Sequence, residues 1–155
     1  MSATSDMSGR ASTTREDFEY WLADMDDALG RFLASLPHGT RERLDYSPES
    51  LDAIEDWILA TYPSVNAMRA ADQSRLVDGI ARYIGETFRK HIGGWWDIQL
   101  EDPKALYFGR PILTGYADGP LAPLSLATAT AHRRTGAYLR SLFDRLKATS
   151  STSRG

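Results

Sequence analysis

The chain has no cysteine among its 155 residues. Disulfides, thiolate metal sites and a cysteine nucleophile are therefore excluded outright. Histidine is scarce as well: His38, His91 and His132 lie far apart, thin material for a zinc site. No apolar run approaches the roughly 20 residues that span a bilayer. The opening "MSATSDMSGRASTTRED" has none of the apolar core of a secretory signal, so the expected location is the cytoplasm. There is no G-x-S-x-G elbow, no phosphate-binding G-x-x-x-x-G-K-[ST] loop and no G-x-G-x-x-G fingerprint. Gly79 and Gly85 of "GIARYIG" fall inside a helical pattern, not at a turn that cradles phosphate.

What is present is ordinary for one globular domain: 42% hydrophobic, 25% charged and 10% aromatic residues. The net charge of −3 is unevenly spread. Residues 1–60 carry 13 acidic and 5 basic side chains, whereas residues 61–155 carry 8 and 13. Two halves facing each other within one fold would compensate. An acidic surface that steers a basic partner is the sharper alternative.

The periodicity predicts α+β architecture: three N-terminal helices, a small antiparallel sheet at about residues 95–114 and a C-terminal helix, all packed together. Residues 1–13 and 147–155 read as disordered tails around a domain at 14–146. The first helix is expected from Thr14 to Leu36. Thr13 or Thr14 would be its cap, and Phe18, Leu22, Met25, Leu29, Phe32, Leu33 and Leu36 its apolar stripe. Ser47 and Pro48 open the second helix, which Tyr62-Pro63 closes, and Arg43 to Tyr46 could be extended. A third helical region covers Ser64 to His91, with a bend near Asp72–Ser74. Gly79 and Gly85 each cost it about 1 kcal/mol relative to Ala, which implies close approach by neighbours. Gly93-Gly94 ends it. "WWDIQL" alternates, with Trp96, Ile98 and Leu100 on one face and Trp95, Asp97 and Gln99 on the other. "KALYFGRPILTG" supplies one or two more strands, Pro111 marking an edge or a break. A last helix runs from Ser125 to Leu146, with Ala131, Thr135, Leu139, Leu142 and Leu146 inward and Arg133, Arg134, Arg140 and Arg145 outward.

Catalytic constellations are weak throughout, and no catalytic residue, metal or cofactor is assigned. Glu86 and His91 are five residues apart, about 140° around a helix, so they do not form an acid–base pair. The histidine is better read as a helix-end group meeting carbonyls. Asp97 and Glu101 share one side of a strand but lie about 13 Å apart, beyond glycosidase spacing. Asp102 before Pro103 reads as a turn residue. The arginines of "HRRTGAYLRSLFDRLK" could meet phosphates, yet the overall acidity and the lack of a reading motif argue against nucleic acid. Adjacent strand residues face opposite ways, so Trp95 and Trp96 cannot form one patch. Core packing of both is the plainer reading. The sharper one makes the outer tryptophan a binding anchor beside Asp97.

Arginine outnumbers lysine fifteen to three, a usage resembling that of high-GC bacterial genomes. The helix "SPESLDAIEDWI", then "YIGETFRKHIGGWW", then short strands make residues 44–115 similar to a group of small bacterial proteins. Some of these resemble immunity or accessory proteins encoded beside toxin or secretion loci. The resemblance carries no catalytic residues; the absent catalytic motif, the acidic first third and an outer tryptophan make a non-enzymatic protein-binding module of this kind the first expectation. The candidate contact residues are Trp95, Trp96 and Asp97, with the acidic Asp24, Asp26 and Asp27 lying mostly off the first helix's stripe. The second expectation is a small-molecule enzyme or ligand carrier with a pocket between sheet and helices, using a tryptophan, Tyr107, Arg110 and Glu86 or His91. A buried polar group near Trp96 would favour it. The third is self-association of acidic helix 14–36 with basic helix 126–146 of another copy.

Overall fold

The computed structural model describes residues 13–154, and side-chain surroundings through 150. Eight helices fall among the described residues: α1 (Arg15–Ala23), α2 (Met25–Ala34), α3 (His38–Glu42), α4 (Ser50–Thr61), α5 (Val65–Met68), α6 (Ser74–Ile92), α7 (Pro123–Arg133) and α8 (Tyr138–Arg154). A single 3-10 turn, Ala71–Gln73, joins α5 to α6. Two strands, β1 (Trp95–Ile98) and β2 (Pro111–Thr114), pair antiparallel between α6 and α7. Mixed α and β structure is thus present, but with more and shorter helices than the periodicity predicts.

The first expected helix is two. Thr14 caps α1 in a reciprocal capping box with Asp17, as its sequence position suggests. At Asp24 the backbone leaves helical geometry for one residue (φ −84°, ψ 4°), and α2 restarts from its carbonyl. The elbow turns Phe18 and Trp21 toward the core and leaves Leu22, a predicted stripe residue, exposed. Residues 38–42 form α3, and Arg43 to Tyr46 are turn and bend rather than extended. The predicted 64–91 helix is divided into α5, the 3-10 turn and α6, with Ser64 capping α5 through the Ala67 N–H. The predicted 125–146 helix is also two. Pro123 occupies the first turn of α7, and Arg134 ends it in the left-handed region at φ 53°. Its guanidinium donates to the carbonyls of Tyr62 and Leu59 at 2.8 and 2.9 Å, tying that turn to the end of α4. Thr135 is consequently exposed in the connection, not inward. Helix α8 continues to Arg154, beyond Lys147 where a tail was expected. The N-terminal tail expected at 1–13 lies outside the described residues except for Thr13.

Helix α6 is the centre of the packing, with α2, α7 and α8 against it. Every residue from Gly79 to Phe88 is buried, so this helix is enclosed all round rather than on one stripe. Its glycines permit that. A Cβ on Gly79 would collide with the Phe32 ring of α2, and one on Gly85 with the Trp96 ring and Pro123. The polar groups drawn inside are bonded: Thr87 to the Tyr83 carbonyl, Tyr83 to Ser50, and Glu55 to the N–H groups of Tyr138 and Leu139 at the start of α8. The charge halves partly compensate, since Arg140 of α8 lies 3.3 Å from Asp52 and 3.6 Å from Glu49. Gly93 at φ 109° stops α6 and releases the chain into β1. There Trp96 pairs with Leu113 and Ile98 with Pro111 at the end of the short ladder.

Candidate functional site

A cleft of about 560 Å³ opens between α1, α6, the start of α7 and the strand pair. That volume lies in the range of small-molecule sites. Its walls are Phe18 and Trp21 from α1, Met68 at the end of α5, Val77 and Ala81 from α6, Trp96 and Ile98 from β1, and Pro123 and Leu124 from α7. Ala70, Ala71 and Ala81 contribute room rather than contact area.

Two indoles form the aromatic part of the wall, and each is fixed by a carboxylate of α6. Trp21 donates its Nε1–H to Asp78 at 2.8 Å, and Trp96 donates to Glu86 at 2.8 Å. The two rings meet edge to face at 4.9 Å. Each carboxylate is paired in turn with an arginine one turn along the helix. Asp78 takes Arg82 Nε at 2.7 Å, and Glu86 takes Arg89 through two bonds of 2.7 and 3.0 Å. Arg82 is nearly fully buried. It also donates to the Trp21 carbonyl at 2.8 Å, and its guanidinium lies 4.2 Å from the Trp21 ring centroid. The indole N–H groups are thus already satisfied, and the rings offer the cleft apolar surface in a fixed orientation.

Glu86 is 5% exposed. Burial acts to raise its pKa, but hydrogen bonds from Arg89 and Trp96 and the charges of Arg89 and Lys90 outweigh it. The carboxyl is held below its ordinary value and is ionised at neutral pH. Of the other ionisable groups at the cleft, Asp17 is engaged by the Thr14 N–H. Arg69 and Arg110 are exposed and have no ion pair or side-chain hydrogen bond among the described residues.

The predicted contact residues are divided among three places. Trp96 and Arg110 line the cleft. Trp95, 58% exposed, faces away from it. Its ring lies over Gly115, where a Cβ would come within 2.7 Å of Trp95 Cζ3. Core packing of both tryptophans is therefore corrected: only Trp96 is core. Trp95 instead borders a shallow groove with Asp26, Leu22 and Arg89. Asp24 binds Arg31 at 2.7 Å beside the α1–α2 elbow, and Asp27 stands exposed in the first turn of α2. Asp97 accepts the Ile98 N–H and lies 3.9 Å from Arg15. Tyr107 is half-buried in the 99–110 loop and does not line the cleft. His91 points elsewhere, its Nε2 2.7 Å from the Tyr46 carbonyl, so it and Glu86 serve separate contacts. Asp102 accepts the Lys104 N–H as a turn residue. Among the described residues no group of three or more His, Asp or Glu is placed to hold a metal ion, and no helix is long and apolar enough to cross a membrane.

Trp21, Met68, Asp78 and Arg82 were not singled out from the sequence, and Phe18 only as part of the first helix's apolar stripe. The one signal available was the pairing of Asp78 with Arg82 and of Glu86 with Arg89 at helical spacing, which on its own reads as solvated ion pairs. Comparison with protein-family models, with curated proteins and with solved structures finds no match to the chain.

Proposed function

We propose that the chain is a ligand-binding protein that holds a small, largely apolar molecule in the cleft between α1, α6, α7 and β1. The observation that carries this is the pair of indole walls, Trp21 and Trp96, whose polar atoms are taken up by Asp78 and Glu86 while their ring surface borders open space. A concave, mostly apolar cleft of this size with its few polar groups already paired is the usual form of a small-molecule site. A neutral fluorescent probe, 1-aminoanthracene, should bind saturably and quench the tryptophan emission. At 100 times its dissociation constant it should add about 2.7 kcal/mol of stability. Ala81→Leu, which fills the cleft from its floor, should abolish that binding in a folded protein. No saturable binding, or binding indifferent to Ala81→Leu, overturns the reading.

A second reading, a protein-binding module of immunity or accessory type, is favoured by a different observation. Trp95 is exposed yet held against Gly115, and it shares its groove with Leu22 and the acidic Asp26. Rigid, exposed tryptophans are frequent binding anchors. A partner captured by the native chain and lost with Trp95→Ala together with Asp26→Lys supports it. Capture unchanged by both substitutions removes it.

A further inference from the structure

We infer that the ligand of the cleft is an amphiphile with one anionic head, a carboxylate on an apolar body. This rests on the ligand-binding reading and adds the sign and the place of the head group. The cleft is polarised. Its inner surface is Phe18, Trp21, Met68, Val77 and Trp96, with no unsatisfied polar side-chain atom, so a charged end has no partner there. The charged side chains at its edge differ in how they are occupied. Asp78 is spent on Trp21 and Arg82, while Asp17 takes the Thr14 N–H on one oxygen and keeps its charge, one carboxylate against two guanidinium groups unpaired among the described residues. Arg69, after α5, and Arg110, before β2, reach the cleft from separate segments, and neither carries an ion pair or side-chain hydrogen bond among the described residues. Ser74, also at the edge, adds a hydroxyl with no hydrogen bond among the described residues. The free donors at the mouth are therefore cationic or neutral, and the free acceptors inside are absent. A guanidinium recognises a carboxylate by paired, charge-assisted bonds. An apolar body in the cleft with its carboxylate at the mouth meets both conditions, whereas a cationic head would be repelled by both arginines.

Equilibrium binding by displacement of 1-aminoanthracene tests this with three probes of one tail and different heads: decanoate, decanol and decyltrimethylammonium, each below its micellar concentration. Decanoate should bind roughly tenfold more tightly than decanol, a modest factor because the arginines are exposed, and the ammonium more weakly than either. Arg69→Gln with Arg110→Gln should bring decanoate down to the decanol level and leave decanol unchanged. Raised salt should weaken decanoate alone. Both positions are on the surface, so an unchanged Tm confirms that the double variant is folded. Equal binding of all three probes, or tightest binding of the ammonium, overturns the anionic head and leaves the apolar cleft standing. Binding of none of the three, nor of 1-aminoanthracene itself, overturns the ligand reading along with it.

Discussion

Gly85 and Gly30 are both helical glycines, yet substituting them should have opposite effects. In an open helix, Ala in place of Gly gains about 1 kcal/mol, because Gly gives up more backbone freedom on folding. Among the described residues nothing lies within 4 Å of a Cβ built on Gly30, so Gly30→Ala should raise the Tm. On Gly85 the same atom would strike the Trp96 ring, with Pro123 Cγ at 3.1 Å behind it. Trp96 cannot retreat without breaking its bond to Glu86, so Gly85→Ala should cost about 1–3 kcal/mol of overpacking despite its helix propensity. Thermal melts of the two variants check this, and a stabilising Gly85→Ala would show that the Trp96 wall is not rigid. Close approach at Gly79 and Gly85 was legible in the sequence, since two glycines inside a periodic helix need a reason. So was the opposed facing of Trp95 and Trp96, which follows from strand geometry. Which of the two points inward was not. That depends on Glu86 and Trp21, and Trp21 lies on an element far away in the chain.

Helix breaks were the least legible feature among the elements. Asp24 and Arg134 each divide a pattern that continues unbroken in apolar spacing, because a single non-helical residue barely disturbs the period. At Arg134 the tie is tertiary, since the carbonyls ending α4 hold its guanidinium, whereas Asp24 pairs locally with the exposed Arg31 seven residues on. The start of α8 shows the same logic. Its first N–H groups have no intrahelical partner. Glu55, buried on α4, accepts from Tyr138 at 3.2 Å and Leu139 at 2.9 Å and thereby joins two helices distant in sequence. Glu55→Ala would leave both donors unpaired next to a hole, the Leu139 N–H fully buried and the Tyr138 N–H partly so. About 2–3 kcal/mol of destabilisation is expected, measurable by urea denaturation. Glu55→Gln keeps an acceptor in place and should cost less. Equal losses in the two variants would mean that the charge, not the hydrogen bonds, holds α8 to α4.

The whole molecule's stability should fall at both ends of the pH scale, for reasons that differ in sign. Glu86 titrates below its ordinary value of 4.5 when folded, so between that value and its lowered one the unfolded chain holds more protons than the native. Stability is full above pH 4.5 and is lost as pH falls through the lowered value, and Glu86→Gln should flatten this acid limb. Tyrosine works the other way. Burial raises Tyr46 and Tyr116 from 10.0 to about 12, and raises Tyr62, Tyr83 and Tyr138 as well. The native state keeps protons that the unfolded chain releases. The stability these groups contribute is therefore intact below pH 10 and is lost as pH climbs toward 12. These tyrosines flank the α4–α6–α8 core from several sides, so alkaline unfolding should be one cooperative event. Circular dichroism and tyrosinate absorbance should then change together. Tyr46→Phe is the sharpest probe, since its hydroxyl makes no hydrogen bond among the described residues while its backbone N–H is held by Tyr83. It should leave the neutral-pH Tm nearly unchanged and make the alkaline limb shallower. Tyr116→Phe, by contrast, loses the bond to the Gly93 carbonyl and should lower stability at pH 7 too. If both variants keep the native alkaline limb, the loss of stability there does not come from buried tyrosine.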